Sequence, residues 1–335
     1  MSEPPVHDAL ARPLRELRLS VIEACNFRCP YCMPAERIAD DHGLDAASRL
    51  SFDEIEVLVR SFAALGVRKL RLTGGEPLLR KRLPELVARL AGIPGLDDLA
   101  LTTNGALLAG QAMALRDAGL RRITVSLDTL DPPTFHALSG GRGRLVDVLR
   151  GIDAARDAGL GPVKLNCVVQ RGVNEDGIEA LVAYAREHGD VVRFIEYMDV
   201  GTCNGWSRER VVPSAELRDR IAARWPLLPL DPNYRGEVAQ RYAHADGQGE
   251  LGFVSAVTAP FCGDCHRARV SADGRLYTCL FAATGAELRP LVVGGAPALS
   301  QHIARLWSAR RDRYSELRSA AGASRRHVEM YLVGG

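Results

Sequence analysis

An α/β fold of parallel strands joined by crossover helices is what this 335-residue sequence predicts. Three observations carry that reading. Short apolar strands alternate with stretches of helical periodicity; a unit of helix end, glycine and strand recurs; and the polar motifs all follow strands. The first strand spans about Leu17 to Ile22 and runs into the cysteine-rich loop CNFRCPYC. The helix after it is opened by Ser51 and Glu54, a capping box, and continues through Ile55, Leu58, Val59 and Phe62 at helical spacing. Ala-Leu-Gly-Val at 64 to 67 closes that helix and leads into a strand from Val67 to Leu72. A third strand covers Leu99 to Thr102. Asp-Ala-Gly-Leu at 117 to 120 precedes the strand Arg122 to Ser126. The same tetrapeptide at 157 to 160 precedes Val163 to Val168, and the sixth strand covers Val191 to Tyr197. Such alternation fits an open doubly wound sheet or a barrel.

Both architectures place their chemistry at the carboxyl ends of the strands. The cysteine loop follows strand one, Thr73-Gly74-Gly75-Glu76-Pro77 strand two, and Thr102-Thr103-Asn104-Gly105 strand three. Ser126-Leu127-Asp128 ends strand four, Asn166 lies on strand five, and Glu196-Tyr197-Met198 ends strand six. Six strand ends therefore converge on one face.

Composition narrows the class. Hydrophobic residues make up 47% and charged residues 25% of the chain, as in an ordinary globular protein. A formal net charge of +2 does not suit wrapping nucleic acid. No signal-peptide core opens the chain and no apolar run is long enough to cross a bilayer, so the expectation is a cytoplasmic protein with no membrane and no nucleic-acid partner. Eight cysteines do not form a disulfide scaffold here. Six fall into two triplets, whereas Cys167 in KLNCVV reads as a core residue and Cys203 in GTCNG as structural.

The triplets are the informative part. Cys25, Cys29 and Cys32 have the spacing C-x3-C-x2-C and supply three thiolates but no fourth. Structural zinc sites use four protein ligands, and electron-transfer ferredoxins ligate every iron of a cubane through cysteine. An iron left open can bind a substrate. Cys262, Cys265 and Cys279 form a second set of three. Taken alone that set suits zinc as readily as iron; His266 could complete a zinc site, but adjacent residues rarely turn to the same ion. The two glycines of TGGEP let the backbone approach a ligand closely and expose groups able to hold an amino group.

Cations follow a pattern too. Lysine occurs only at 69, 81 and 164, against forty arginines. Arg18, Lys69, Arg71, Lys164 and Arg193 occupy strand positions from which alternation can aim them inward. Buried cations need anions, and a polyphosphate would satisfy them. Arg267 and Arg269 alternate as neighbours on one face of a short strand and add charge beside the second triplet.

CNFRCPYC, with Tyr31 before its last cysteine, together with TGGEP resembles the radical S-adenosylmethionine (SAM) superfamily. That resemblance implies a partial (β/α)6 TIM-type barrel over residues 1–230, and a C-terminal region over 231–335 that carries the second cluster and covers the open barrel. It implies two 4Fe-4S clusters, each on one cysteine triplet, and SAM gripped through Tyr31, Gly75, Ser126 and Met198. LTTNG, SLDTL, FIEYMDVG, FCGDCHRARVSADGRLYTCL and the terminal Gly-Gly narrow the similarity to the enzymes that cyclise GTP in the first step of molybdenum cofactor biosynthesis, from about Leu14 to Gly335. In that family GTP is held by residues matching Arg18, Arg71, Thr102, Lys164, Arg267 and Arg269, with Lys69 and Arg193 added here on the strand pattern. Arg267, Arg269, Gly334 and Gly335 are then the candidates for a part in catalysis. The same resemblance implies a separate electron donor, a downstream cyclic pyranopterin monophosphate synthase and a homodimer. The rival readings are another radical SAM enzyme with an auxiliary cluster, such as a peptide maturase, and a zinc-binding protein without enzymatic activity.

Overall fold

The computed structural model describes residues 5–33, 45–202, 204–318 and 327–334. Twelve strands form one unclosed sheet: β1 Glu16–Ser20, β2 Lys69–Thr73, β3 Asp98–Thr103, β4 Arg122–Ser126, β5 Lys164–Val169, β6 Val191–Glu196, β7 Leu227–Leu230, β8 Gln240–His244, β9 Glu250–Val254, β10 Arg267–Val270, β11 Arg275–Tyr277 and β12 Ala286–Glu287, in the order β12-β11-β10-β1-β2-β3-β4-β5-β6-β9-β8-β7. The helices are α1 Phe52–Ala64, α2 Leu83–Ala91, α3 Ala112–Asp117, α4 Pro132–Leu138, α5 Leu145–Asp157, α6 Ile178–His188, α7 Ser214–Arg224, α8 Arg289–Val293, α9 Ala296–Ser308, α10 Tyr314–Leu317 and α11 Met330–Val333. Strands β1 to β6 run parallel and in chain order, as a (β/α)6 partial barrel requires.

Local chemistry explains the elements. Ser51 accepts from the Glu54 amide and the Glu54 carboxylate accepts from the Ser51 amide, so α1 begins at the capping box. Gly66, Gly119 and Gly159 take positive φ where helices hand over to strands, which only glycine does at little cost. The first strand stops at Ser20, two residues short of its expected end, because the turn after β2 takes over the pairing: the Val21 amide donates to Thr73 and the Gly75 amide to Ile22.

Strand alternation separates two environments. On one face Leu17, Leu19, Leu70, Leu72, Leu101, Ile123, Val125, Leu165, Val192 and Phe194 are fully buried against Leu58 and Phe62 of α1, Leu86 and Leu90 of α2, Val148 and Ile152 of α5 and Leu181 of α6. Each such side chain contributes about 2 kcal/mol by leaving water. Cys167 belongs to this core, as expected, at 1% exposure. The other face carries Glu16, Arg18, Lys69, Arg71, Asp98, Thr102, Arg122, Thr124, Ser126, Lys164, Asn166 and Arg193. Apolar packing therefore lies between strands and helices, while the concave interior is polar and cationic.

The edges of the six-stranded unit are not free. β10 adds to β1 in parallel and β9 adds to β6 in parallel, both from the chain beyond residue 231. Six strands beyond β6 escaped the sequence reading, apart from the short one around Arg267 and Arg269. They are two to five residues long and are mostly joined to one another without an intervening helix, so they lack the helix-glycine-strand punctuation of the first half. Among the described residues no helix is long and apolar enough to cross a membrane.

Candidate active site

The carboxyl ends of the strands open on a cavity of about 290 Å3. Cys25, Cys29 and Cys32 line it from the loop after β1, and Cys262, Cys265 and Cys279 line it from the chain around β10 and β11. Both thiol triads thus face one space. Between them project Arg18, Arg71, Arg193, Arg267 and Arg269, with Thr102, Ser126, Gly75, Tyr31 and Met198. Lys69 and Lys164 do not reach this wall. Lys69 lies deeper, 3.4 Å from Glu16 and 3.1 Å from the Tyr234 hydroxyl. Gly335 and Cys203 lie outside the described residues.

The cysteine loop is held from three sides. Tyr31 donates to Asp128 Oδ2 at 2.6 Å, and the Val168 amide donates to Asp128 Oδ1 at 2.8 Å, which ties the loop to the ends of β4 and β5. Burial pushes the Asp128 carboxyl up to about 6. Asn104 donates to Asn26 at 2.7 Å, and Glu76 accepts from the Asn104 amide and the Thr103 hydroxyl, each at 2.7 Å. Gly74 and Gly75 are required by close approach. A Cβ on Gly74 would sit 2.3 Å from the Ile22 carbonyl oxygen, and one on Gly75 would sit 2.4 Å from those of Glu23 and Ala24. The glycines of TGGEP thus seat the turn against the cysteine loop itself, a backbone contact that a motif reading limited to ligand approach does not anticipate.

Burial pushes the Cys25 thiol up to about 11, and pushes Cys29 well above the usual thiol range with help from its neighbours Cys32 and Cys25. Cys25 and Cys29 therefore release protons when metal binds. In the second triad burial lifts Cys279 to about 11. Cys265 behaves otherwise: burial opposes ionisation, but the guanidinium groups of Arg267 and Arg310 outweigh it and bring the thiol down to about 6. Among the described residues no three His, Cys, Asp or Glu side chains close on a single point as ligands of one metal ion do. His266 is not on the cavity wall; its Nε2 lies 3.7 Å from Glu16 and its ring meets Tyr234 edge-on.

The arginines are crowded. Arg18 and Arg71 are paired in register on neighbouring strands, as are Arg18 and Arg269. Burial, with Arg267 and Arg71 adding to it against Glu16, brings Arg18 down to about 10. Burial also lowers Arg71, Arg193 and Arg269. Arg71 donates to Thr102 at 2.9 Å and Thr124 at 3.1 Å, yet its buried Nε finds no partner among the described residues. Such a group of cations stores electrostatic cost that an incoming polyanion relieves.

Behind the arginines, burial together with Arg193, Arg122, Arg71 and Lys69 brings Lys164 from its usual 10.5 down to about 7. The folded chain then binds fewer protons than the unfolded chain between those values, so stability rises with pH across that window. Lys164→Met is expected to flatten the gain in Tm between pH 7 and pH 9, as read by paired thermal melts against the parent.

The C-terminal segment reaches the same site. Met330 and Tyr331 line the cavity, and Arg269 donates to the Gly334 carbonyl at 2.5 Å. Gly334 has φ +68°, and a Cβ there would lie 1.8 Å from Thr73 Oγ1. Gly334→Ala is therefore expected to displace the tail, raising the rate at which a protease trims the C-terminus and lowering turnover about tenfold or more.

Comparison with known proteins agrees with this geometry. Residues 19–185 match the Radical SAM superfamily and residues 190–316 match Molybdenum Cofactor Synthesis C. The sequence is 65% identical to GTP 3',8-cyclase of Xanthomonas campestris pv. campestris (strain B100), over 100% of this chain and 99% of that one. The chain belongs to the GTP 3',8-cyclase family. GTP 3',8-cyclases of Acidothermus cellulolyticus and Staphylococcus aureus (strain MRSA252) are 54% and 42% identical, over 94% and 98% of this chain and 89% and 99% of theirs. In fold it is similar to Streptococcus suis SuiB, with a TM-score of 0.61 and 16% identity over 92% of this chain and 68% of that one. Membership in this cyclase family brings a 4Fe-4S cluster and SAM. The residues present fit them: three partly buried thiols on one loop, a glycine turn packed against it, and on the adjoining wall Arg71 Nε and Thr73 Oγ1, which have no partner among the described residues.

Several contributors escaped the sequence reading. Asp128 and Glu76 sit inside motifs that were singled out, but their roles as clamps appear only in three dimensions. Arg310, Arg12 and Asp8 carry no motif, and only folding brings them to the second triad.

Proposed function

We propose that this chain converts GTP to (8S)-3',8-cyclo-7,8-dihydroguanosine 5'-triphosphate, the first step of molybdenum cofactor biosynthesis. The observation that carries the reading is one cavity lined by both thiol triads and by six arginines, Arg18, Arg71, Arg193, Arg267, Arg269 and Arg310. Cys25, Cys29 and Cys32 would hold the cluster that supplies, with SAM bound, reductive cleavage to methionine and a 5'-deoxyadenosyl radical. Cys262, Cys265 and Cys279 would hold a second 4Fe-4S cluster, which would supply an open coordination position for the guanine base.

The chain's own task is orientation and electrostatics. Gly75, Tyr31, Ser126 and Met198 form the wall on which SAM lies. Arg18, Arg71 and Arg193, with Thr102, take the triphosphate, and Lys69 and Lys164 reinforce their field from the layer beneath. Arg267 and Arg269 stand beside the second triad, where they balance charge at the purine as the C3' to C8 bond forms. Gly334 brings the tail against this group and excludes water, and Gly335 shares the part in catalysis proposed for the terminal glycines. The region from 231 onward acts as the cover of the barrel, joined to it through β9 and β10. A separate low-potential donor supplies electrons, and a downstream synthase consumes the product.

Anaerobic reconstitution with iron and sulfide, then incubation with dithionite, SAM and GTP, tests the reading. It predicts 5'-deoxyadenosine together with a cyclised nucleotide. Deoxyadenosine without nucleotide conversion rejects the substrate, and a zinc protein that leaves SAM intact rejects the enzyme.

A further inference from the structure

Arg310 lies at the end of α9, is 4% exposed, and reaches the cavity from behind the second triad. Its Nη2 donates to Cys265 Sγ at 3.2 Å and its Nη1 to the Cys265 carbonyl at 2.7 Å. Its guanidinium is centred 4.6 Å from the Trp307 ring, and Asp8 and Asp312 lie 3.4 Å and 3.5 Å away. Arg12 repeats the arrangement at the neighbouring ligand position, donating to the Cys262 carbonyl at 2.7 Å and the Asp312 carbonyl at 2.8 Å while Asp8 holds its Nε at 2.6 Å. Two buried arginines, fixed by one aspartate, thus grip the turn that presents Cys262 and Cys265.

The two arginines differ in one respect. On the turn itself Arg12 touches only backbone oxygen, whereas Arg310 also places its positive charge on a ligand sulfur. Cys265 Sγ also accepts from Arg267 Nη2 at the longer distance of 3.7 Å, whereas Cys279 receives no guanidinium bond among the described residues. Hydrogen bonds to ligand sulfur and nearby charge set the reduction potential of iron-sulfur clusters, because each electron gained makes the cluster more negative.

We infer that Arg310 is a positioning residue for Cys265 whose guanidinium raises the reduction potential of a cluster on the second triad. The inference rests on the proposed second cluster. On reduction one electron passes from the reductant to the cluster, no bond breaks, and the adjacent cation stabilises the added negative charge.

The test uses the full chain with Cys25, Cys29 and Cys32 replaced by alanine, so that only the second triad can assemble a cluster. After anaerobic reconstitution, iron and sulfide are counted and the protein is titrated with dithionite in the presence of mediators, followed by electron paramagnetic resonance. Arg310→Gln is expected to keep its iron and shift the midpoint to more negative potential; Arg310→Lys, which retains charge but not the fork, is expected to shift it less. An unchanged midpoint in both variants overturns the inference. Loss of second-triad iron in both also overturns it, because Arg310 would then serve the scaffold alone. A parent that assembles no four-iron cluster overturns instead the reading of the second triad, and the inference with it.

Discussion

Cys29→Ala abolishes SAM cleavage, with 5'-deoxyadenosine formation falling by at least about 10³-fold, while the chain stays folded. The expectation follows from where this thiol stands. Its loop does not depend on metal for its path: Tyr31 is tied to Asp128, Asn26 to Asn104, and the Gly75 amide to Ile22, all without the sulfur. Removing one of only three thiolates leaves two corners of the cluster without protein ligands, and among the described residues no cysteine outside the two triads lines the cavity. Far-ultraviolet circular dichroism of the variant should match the parent, and chromatography of the reaction should show SAM unconsumed. Substantial deoxyadenosine from the variant would mean that the first triad is not the ligand set.

Arg269→Ala lowers the rate of nucleotide cyclisation about 10²-fold or more and uncouples it from SAM cleavage. Arg269 is 5% exposed, lies beside Arg18 in register, and donates to Gly334 at 2.5 Å. Its loss removes a buried cation from the cavity wall and frees the tail at once. A charged hydrogen bond in a dry site accounts for roughly 3 kcal/mol, which is the two decades expected. Deoxyadenosine should still form, because nothing in the first triad or the glycine turn rests on Arg269. The measurement is the ratio of cyclised nucleotide to deoxyadenosine; a ratio equal to the parent's would place Arg269 outside the chemistry.

How much of this was legible beforehand depends on whether the signal is local. The six parallel strands were readable because each is an apolar run and the five after the first follow a glycine at positive φ, and both signals follow from backbone sterics and burial within a few residues. The cysteine triplets and TGGEP were readable because ligand spacing is itself local. What escaped was tertiary. β9 and β10 close opposite edges of the barrel although only twelve residues separate Val254 from Arg267, and no pattern in that stretch states which edge each strand will find. Arg310 lies 45 residues beyond Cys265, in an arginine-rich run with no motif, so its contact with sulfur exists only once α9 packs against α1. Lys69 and Lys164 show the limit of parity: alternation aims both inward, but depth along the strand decides that neither lines the cavity.

The account turns on a hydrogen passing from the GTP ribose to SAM-derived deoxyadenosine inside the space between the triads. GTP carrying deuterium at C3' tests this directly. Mass spectrometry of the deoxyadenosine should find one deuterium transferred per cyclised nucleotide, and deoxyadenosine free of deuterium alongside cyclised product would contradict the account.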